Sequence, residues 1–320
     1  MPFTPQSLTW SGKRAVLLVH GIGNSHPADS DATLQLVQGV LGAERDTVAV
    51  YQLFYDHFND WMVEKTNASA LLTAATQSLW AAIADPELNE TVSEYIGDIL
   101  WPVLSSNARA MVREAYLAQL KQMVQDGEAA GVPVRRQKLT IIAHSLGCFH
   151  TYEALQHAAR FPTHVLQPAS HEVRFANVIL MASPVQLIRT VAERLGSLVP
   201  NRRWLETVQG AALSIPQEQR TDGSAVLSTK QWISITGNLD PVGGHFFRSR
   251  APWAYMDIAG QQSIVLQQNP TDVTNKAELL NRLRSSALSG SAPTVSPQDP
   301  HSWTSYITQQ RDALRTWVLA

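Results

Sequence analysis

One short segment of the sequence, residues 139–148, has the residue types that nucleophilic catalysis needs. An apolar run over 139–142 is followed by Ala-His-Ser-Leu-Gly at 143–147. This small-x-Ser-x-Gly pattern is typical of a strand that ends in a tight turn before a helix, an elbow that holds the serine above the sheet edge. Small residues are needed at 143 and 147 because a bulky side chain would collide with the neighbouring strand or helix. The pattern predicts that Ser145 is a nucleophile.

A serine hydroxyl attacks effectively only when a base accepts its proton and a third group holds that base. In the α/β-hydrolase superfamily, which this elbow resembles, the chain order is serine, then acid, then histidine. Of the ten histidines, His245 and His301 follow Asp240, the favoured acid. His245 lies so close to Asp240 in the chain that both would be hard to place around one serine. We therefore predict that His301 is the base.

The favoured acid, Asp240, directly follows a predicted strand, within Gly-Asn-Leu-Asp-Pro at 237–241. A carboxylate at the carboxyl end of a strand lies where open α/β sheets gather their site residues. An Asp-Pro pair is also a common turn former, so a purely structural role for Asp240 stays open. Three other aspartates are weaker candidates because none follows so clear a strand, namely Asp222, Asp257 and Asp272.

Two backbone N–H groups are expected to bind the negative oxygen of the tetrahedral intermediate. One belongs to Leu146, the residue after the nucleophile, and the other to the turn His-Gly-Ile-Gly at 20–23, where Ile22 is the favoured donor. Glycines in this turn would let the backbone approach a substrate carbonyl closely. Alone the turn could be an ordinary strand end. Its position before the elbow favours an oxyanion hole at Ile22 and Leu146.

The residues around these sites also have structural explanations. Ser145 could be a helix N-cap, although the apolar strand before it favours the nucleophile. His20 could orient the oxyanion turn or simply pack. For His144 and His150 we expect packing or polar-surface roles rather than catalysis. Cys148 is expected to be a small buried apolar side chain.

Five apolar or β-branched runs predict the strands that position these residues. Helical stretches separate the runs, which indicates crossover connections and an α/β fold with a mostly parallel central sheet flanked by helices. The predicted strands cover 14–19, 47–54, 138–142, 174–181 and 231–236.

The sequence favours a single domain over 1–320 with helical insertions. Residues 60–130 have apolar side chains at helical spacing, with a helix expected at 108–126, and the stretch is longer than one crossover helix needs. We expect it to be an insertion that could form a lid or a pocket wall. A second helical insertion is predicted at 185–213, and an exposed loop at 283–299.

These features together resemble the α/β-hydrolase superfamily, specifically its lipase and esterase branch. The resemblance implies the α/β-hydrolase fold, a Ser145–Asp240–His301 triad and an oxyanion hole at Ile22 and Leu146. It also implies cleavage of a small-molecule or lipid ester through an acyl-enzyme. The residues that carry it are 20–24, 143–147, 182–184, 240–242 and His301.

Two features depart from the pattern of that superfamily. Ala143 occupies a position that is usually glycine, and the 60–130 insertion leaves the substrate class open. An amidase, thioesterase or acyltransferase on the same triad is therefore an alternative. A non-catalytic binding protein on the same scaffold is another, because fold does not fix function.

Composition narrows the function classes further. The 25 Lys and Arg residues nearly balance the 27 Asp and Glu residues, and no basic stripe suggests a nucleic-acid partner.

The single cysteine excludes an internal disulfide and a cysteine-based metal cluster, and no His/Asp group has ligand spacing, so we expect no metal and no cofactor. Without a membrane-length apolar run or a signal-peptide pattern, the chain is expected to be cytoplasmic and to have no transmembrane segment. Its oligomeric state stays open.

Overall fold

The computed structural model describes six strands, five α-helices and the chain's carboxyl end. The described residues are 3–21, 27–55, 106–160, 173–184, 227–237, 240, 261–266 and 301–320. Several predictions lie outside these residues. They concern Ile22, residues 60–105, 185–213 and 283–299, and the weaker candidates Asp222, His245, Asp257 and Asp272.

Within the described residues, six strands form one sheet in the order β2-β1-β3-β4-β5-β6, and every neighbouring pair is parallel. The architecture is therefore α/β, as the sequence predicts. The strands are β1 Arg14–Val19, β2 Val48–Leu53, β3 Lys138–His144, β4 Val173–Met181, β5 Leu227–Gly237 and β6 Gln261–Leu266. The five predicted strands are confirmed with small shifts of their bounds. The sequence does not predict β6, because this strand begins with Gln-Gln-Ser and only its short end is apolar.

Helices cover both faces of this sheet. They are α1 Pro27–Leu41, α2 Ser106–Ala129, α3 Leu146–Arg160, α4 Trp303–Gln309 and α5 Arg311–Leu319. In β1, Leu17 and Val19 pack in one apolar cluster with α2 and α3, whereas Val16 and Leu18 pack in a second cluster with α1, α4 and α5. A strand buried on both faces needs apolar residues throughout, which explains the uninterrupted run in β1.

The helix predicted at 108–126 is present as α2. It packs in the same apolar cluster as α3, against one face of the sheet. This part of the predicted insertion therefore belongs to the helical layer next to the elbow helix. No helix within the described residues is both long enough and apolar enough to cross a membrane.

The order of the strands brings two segments of the site together. The chain passes from β1 to its neighbour β2 on one side and later enters β3 on the other side of β1. Val19 of β1 lies opposite Ala143 of β3, so the residues that follow these two strands are neighbours at one edge. Ligands of open α/β sheets bind outside the carboxyl ends of the strands, where the strand order reverses. The elbow and the His20 turn meet at such a point.

Candidate active site

Ser145 lies between the end of β3 and the first residue of α3. Its φ is 52°, in the left-handed region that few residues other than glycine adopt. Two backbone hydrogen bonds hold this conformation, because the Ser145 N–H donates to the Met181 carbonyl at 3.0 Å and the Ser145 carbonyl accepts from the Cys148 N–H at 2.9 Å. The elbow predicted from the sequence is therefore present as a strained turn between a strand and a helix.

The glycines beside the elbow are needed because backbone segments approach closely there. A Cβ atom at Gly147 would lie 2.5 Å from the His20 carbonyl oxygen and 2.6 Å from that of Val19. A Cβ atom at Gly21 would lie 2.7 Å from the Cβ of Ser145. The first glycine lets α3 pack against the end of β1, and the second lets the His20 turn lie next to the nucleophile.

The structure brings the three predicted catalytic side chains together. His301 Nε2 lies 3.1 Å from Ser145 Oγ, and His301 Nδ1 lies 2.9 Å and 3.0 Å from the two carboxylate oxygens of Asp240. All three residues are buried, and Asp240 is fully so. Because a carboxylate can only accept, Nδ1 carries the proton, and its N–H donates a hydrogen bond to Asp240. Nε2 is then left as an acceptor for the Ser145 hydroxyl.

Tyr306 in α4 holds the acid, although no sequence pattern marks this residue. Its hydroxyl donates to Asp240 Oδ2 at 2.6 Å and accepts from the Gly237 N–H at 2.8 Å. Burial and the adjacent carboxylate raise the pKa of Tyr306 well above its ordinary value. The hydroxyl therefore remains a donor over the working range of pH and links the acid to the end of β5.

His144 makes a hydrogen bond that was also not predicted. Its Nε2–H donates to the backbone carbonyl of His301 at 2.6 Å, and its ring stacks on Trp303 with the ring centroids 4.9 Å apart. Burial, together with the neighbouring His301, lowers the pKa of His144 to about 3, so the ring is neutral at neutral pH. The expected packing role is present, but the side chain also contacts the backbone of the base.

His20 lies just after β1, where its ring packs on aromatic neighbours and hydrogen-bonds to Gln52. Its ring stacks on Phe54 at 5.3 Å and meets the edge of Trp303 at 5.6 Å. Its Nε2–H donates to the Gln52 side-chain oxygen at 3.2 Å. Burial lowers the pKa of His20 to about 4, although this hydrogen bond opposes the shift. The packing alternative is therefore observed, and the orienting role remains a prediction.

The structure describes one of the two predicted oxyanion donors, Leu146. Leu146 is the first residue of α3, and the N–H groups of a first helical turn have no carbonyl partner within the helix. The positive end of the helix dipole adds to the attraction for a negative oxygen at this position. Leu146 is thus suitably placed, whereas Ile22 lies outside the described residues and stays a prediction.

Two further residues of α3 have structural roles, as expected. His150 is buried between Tyr55 and Phe149, with ring centroids 4.6 Å and 5.5 Å away. Neither of its ring nitrogens has a hydrogen-bond partner among the described residues, and burial lowers its pKa to about 3. The Cys148 thiol is also buried, and burial raises its pKa far above the ordinary value. It is therefore not a reactive thiolate.

The site thus combines a strained serine, a buried imidazole and a buried carboxylate at one edge of a parallel sheet. In the described part of the chain, no group of three or more His, Cys, Asp or Glu side chains could hold a metal ion. Comparisons with models of protein families, with curated proteins and with solved structures found no match. The function is therefore inferred from this chain's own geometry.

Proposed function

We propose that this chain is a serine hydrolase of the α/β-hydrolase superfamily, in its lipase and esterase branch, which cleaves carboxylic esters through an acyl-enzyme. The observation that carries the proposal is the hydrogen-bonded triad of Ser145, His301 and Asp240, with distances of 3.1 Å and 2.9 Å. The order of the triad in the chain and its place on an α/β sheet support this superfamily. The substrate would be a small-molecule or lipid ester.

The first half of the reaction follows from the hydrogen-bond partners of His301. Ser145 Oγ attacks the ester carbonyl carbon while its proton passes to His301 Nε2. The Asp240 carboxylate stabilises the imidazolium that forms and keeps Nδ1 protonated. When the tetrahedral intermediate collapses, the bond to the leaving alkoxide breaks and His301 gives it the proton. The acyl group then remains on Ser145 as an ester.

The second half repeats these steps with water as the nucleophile. His301 accepts a proton from water as the water oxygen attacks the acyl carbon. When this second tetrahedral intermediate collapses, the bond from the acyl carbon to Ser145 Oγ breaks, His301 returns the proton to Oγ, and the carboxylic acid leaves. In both halves a negative oxygen develops, and the N–H groups of Leu146 and Ile22 are the proposed donors to it. One such donor contributes a factor of about 10²–10³ in rate.

Two of the alternatives, a helix N-cap and a binding protein, explain less of the site. A helix N-cap role for Ser145 would not require a histidine at its hydroxyl, yet Ser145 Oγ pairs with His301 Nε2. A binding protein on the same scaffold would not require a base held by a buried carboxylate at two oxygens. An amidase, thioesterase or acyltransferase would use the same triad, so a panel of esters, amides and thioesters must separate these reactions.

The proposal is tested by trapping the acyl-enzyme. The protein is mixed with nitrophenyl acetate, the reaction is quenched with acid, and the acetylated peptide is mapped by mass spectrometry. We expect acetyl at Ser145 and continuous release of nitrophenol. Ser145→Ala should lower this release by about 10³-fold or more. His150→Leu, which alters a buried imidazole outside the triad, should retain the activity. Release by Ser145→Ala at the wild-type rate would refute the proposal.

If the acyl-enzyme is found, the rates with nitrophenyl esters of increasing acyl length would show which acid the substrate contains. Short acyl groups favoured over long ones would indicate an esterase for small molecules. A preference that grows with length would indicate a lipid ester, because each buried methylene adds about 0.8 kcal/mol.

A further inference from the structure

We propose that His144 is a positioning residue, whose Nε2–H holds the backbone of the base His301 in the geometry that lets it take the serine proton. This inference rests on the proposed serine hydrolase function. It assigns to His144 a role beyond the packing or polar-surface role that its sequence position suggests.

Two adjacent residues of the elbow contact the base His301, one at its ring and one at its backbone. Ser145 Oγ lies 3.1 Å from the His301 ring at Nε2, and His144 Nε2 lies 2.6 Å from the His301 backbone carbonyl. His301 precedes α4 and belongs to neither a helix nor a strand. Its backbone is therefore not fixed by regular secondary structure, and the side chain of His144 supplies a direct link from the elbow to it.

The orientation of the His144 ring is fixed by its aromatic neighbours. It stacks on Trp303 with an interplanar angle of 29°, and it lies 4.9 Å from the His301 ring and 6.1 Å from the Tyr306 ring, measured between centroids. These ring contacts restrict rotation of the imidazole, and in the observed orientation Nε2 faces the His301 carbonyl. The hydrogen bond is thus preorganised rather than formed by chance contact.

The protonation state of His144 suits a donor and not a second base. Because it is buried and neutral, the ring carries one N–H, and the carbonyl acceptor places that proton on Nε2. A ring with so low a pKa does not compete with His301 for the serine proton. Its contribution would be geometric, since a displacement of about 1 Å in a reacting group can lower a rate by about 10²-fold.

Three substitutions separate a hydrogen-bonding role from simple packing. In His144→Gln, the amide nitrogen lies the same number of bonds from Cβ as the imidazole Nε2, so the donor is kept. In His144→Asn, the amide nitrogen matches Nδ1 and falls short of the carbonyl. His144→Leu keeps an apolar volume without any donor. If His144 only packs, the leucine variant should have a higher kcat than the glutamine variant. If His144 positions His301, the glutamine variant should have a higher kcat than the asparagine and leucine variants.

The test measures kcat and KM for nitrophenyl acetate, and the active-site concentration used for kcat is the concentration of Ser145 that a fluorophosphonate labels. Unfolded molecules then do not affect kcat. The thermal unfolding of each variant is measured as well. We expect His144→Gln within about threefold of wild type, and His144→Asn and His144→Leu about 10- to 100-fold lower in kcat with KM little changed. His150→Leu, the same exchange at a buried imidazole without a hydrogen-bond partner among the described residues, should keep kcat.

Two results would overturn the inference while leaving the proposed function intact. Wild-type kcat in both His144→Asn and His144→Leu would show that the hydrogen bond is dispensable. A His144→Gln enzyme as slow as His144→Leu would show that the ring, and not its N–H, is what matters. If the wild type neither cleaves the ester nor is labelled at Ser145, the proposed function itself fails, and the inference fails with it.

Discussion

His301 Nδ1 lies within 2.9–3.0 Å of both carboxylate oxygens of Asp240, although 61 positions separate the two residues in the chain. Asp240 follows the end of β5, and His301 precedes α4. Tyr306 in α4 contacts the same carboxylate and the Gly237 N–H. The pairing of base and acid therefore depends on how α4 docks against the end of β5.

Removing the Tyr306 hydroxyl should weaken both the fold and the reaction. Tyr306→Phe loses a donor to a buried carboxylate, which costs about 1–3 kcal/mol of unfolding free energy. A less firmly held Asp240 should also lower kcat by about tenfold. Denaturant unfolding and steady-state kinetics measure the two effects.

The control for this substitution is Tyr116→Phe. Tyr116 is equally buried, and its hydroxyl donates to Thr151 Oγ1 at 3.1 Å, away from the triad. It should lose about 1 kcal/mol of stability and keep kcat. Equal kcat values in the two variants would contradict a role of Tyr306 in holding the acid.

A side chain at Gly21 should displace the nucleophile. The added Cβ of Gly21→Ala would lie 2.7 Å from Ser145 Cβ and 3.2 Å from Ser145 Oγ. Either the turn or the serine side chain must shift, which disturbs the contact of Ser145 Oγ with His301 Nε2, so kcat should fall by about 100-fold or more. Unfolding measurements should show a smaller effect, of about 1–3 kcal/mol. An enzyme with wild-type kcat would contradict the close approach of this turn to the elbow.

Two glycine-to-alanine exchanges should have opposite effects on stability. In Gly147→Ala the new methyl group would collide with the backbone carbonyls of Val19 and His20. These carbonyls can move only if the end of β1 separates from the elbow. We therefore expect a loss of about 3 kcal/mol or more of unfolding free energy. Gly39 lies on the exposed side of α1 with nothing within 4 Å of an added Cβ. Gly39→Ala should gain about 0.5–1 kcal/mol. Urea unfolding of both variants checks the signs.

The carboxylate of Asp126 should contribute stability that depends on pH. It accepts hydrogen bonds from the Tyr51 hydroxyl, the Leu8 N–H and two further side chains, those of Ser7 and Gln122. Burial alone would raise the pKa of Asp126, but these hydrogen bonds lower it below its ordinary 3.8. A lowered pKa in the folded state means that stability is present above pH ~4 and is lost as the pH falls through the lowered value.

Asp126→Asn should therefore cost about 1–3 kcal/mol at neutral pH, and its difference from wild type should shrink below about pH 4. The matched control is Asp46→Asn, because the Asp46 side chain is 85% exposed. This control should change stability by less than about 0.5 kcal/mol at either pH. A difference between Asp126→Asn and wild type that stays constant down to pH 2 would contradict the assignment.

The sequence predicted those parts of the molecule that depend on local pattern. Apolar runs buried on both faces identified β1 and β3, and the elbow was visible as a strand end with small residues around Ser145. β6 was missed because its first residues are polar. The helix at 108–126 was visible from its periodicity, although its place in the layer beside α3 was not.

The contacts that support the triad could not be predicted in the same way. Tyr306 and Asp240 are 66 positions apart, and His144 and His301 are 157 apart. No local pattern marks such pairs, because they arise only when α4 docks at the ends of β3 and β5. The serine and its base were found because chain order restricts the choice, and no comparable rule exists for the residues that hold them.

The most direct test of the central claim is site-mapped labelling with a fluorophosphonate. Attack by Ser145 Oγ forms a bond to phosphorus and expels fluoride while His301 takes the serine proton. We predict one label per molecule, located at Ser145 by peptide mapping, with labelling at least about 100-fold slower in His301→Ala and absent in Ser145→Ala. A wild-type protein that is not labelled, or a Ser145→Ala protein labelled equally well, would contradict the assignment of Ser145 as the nucleophile.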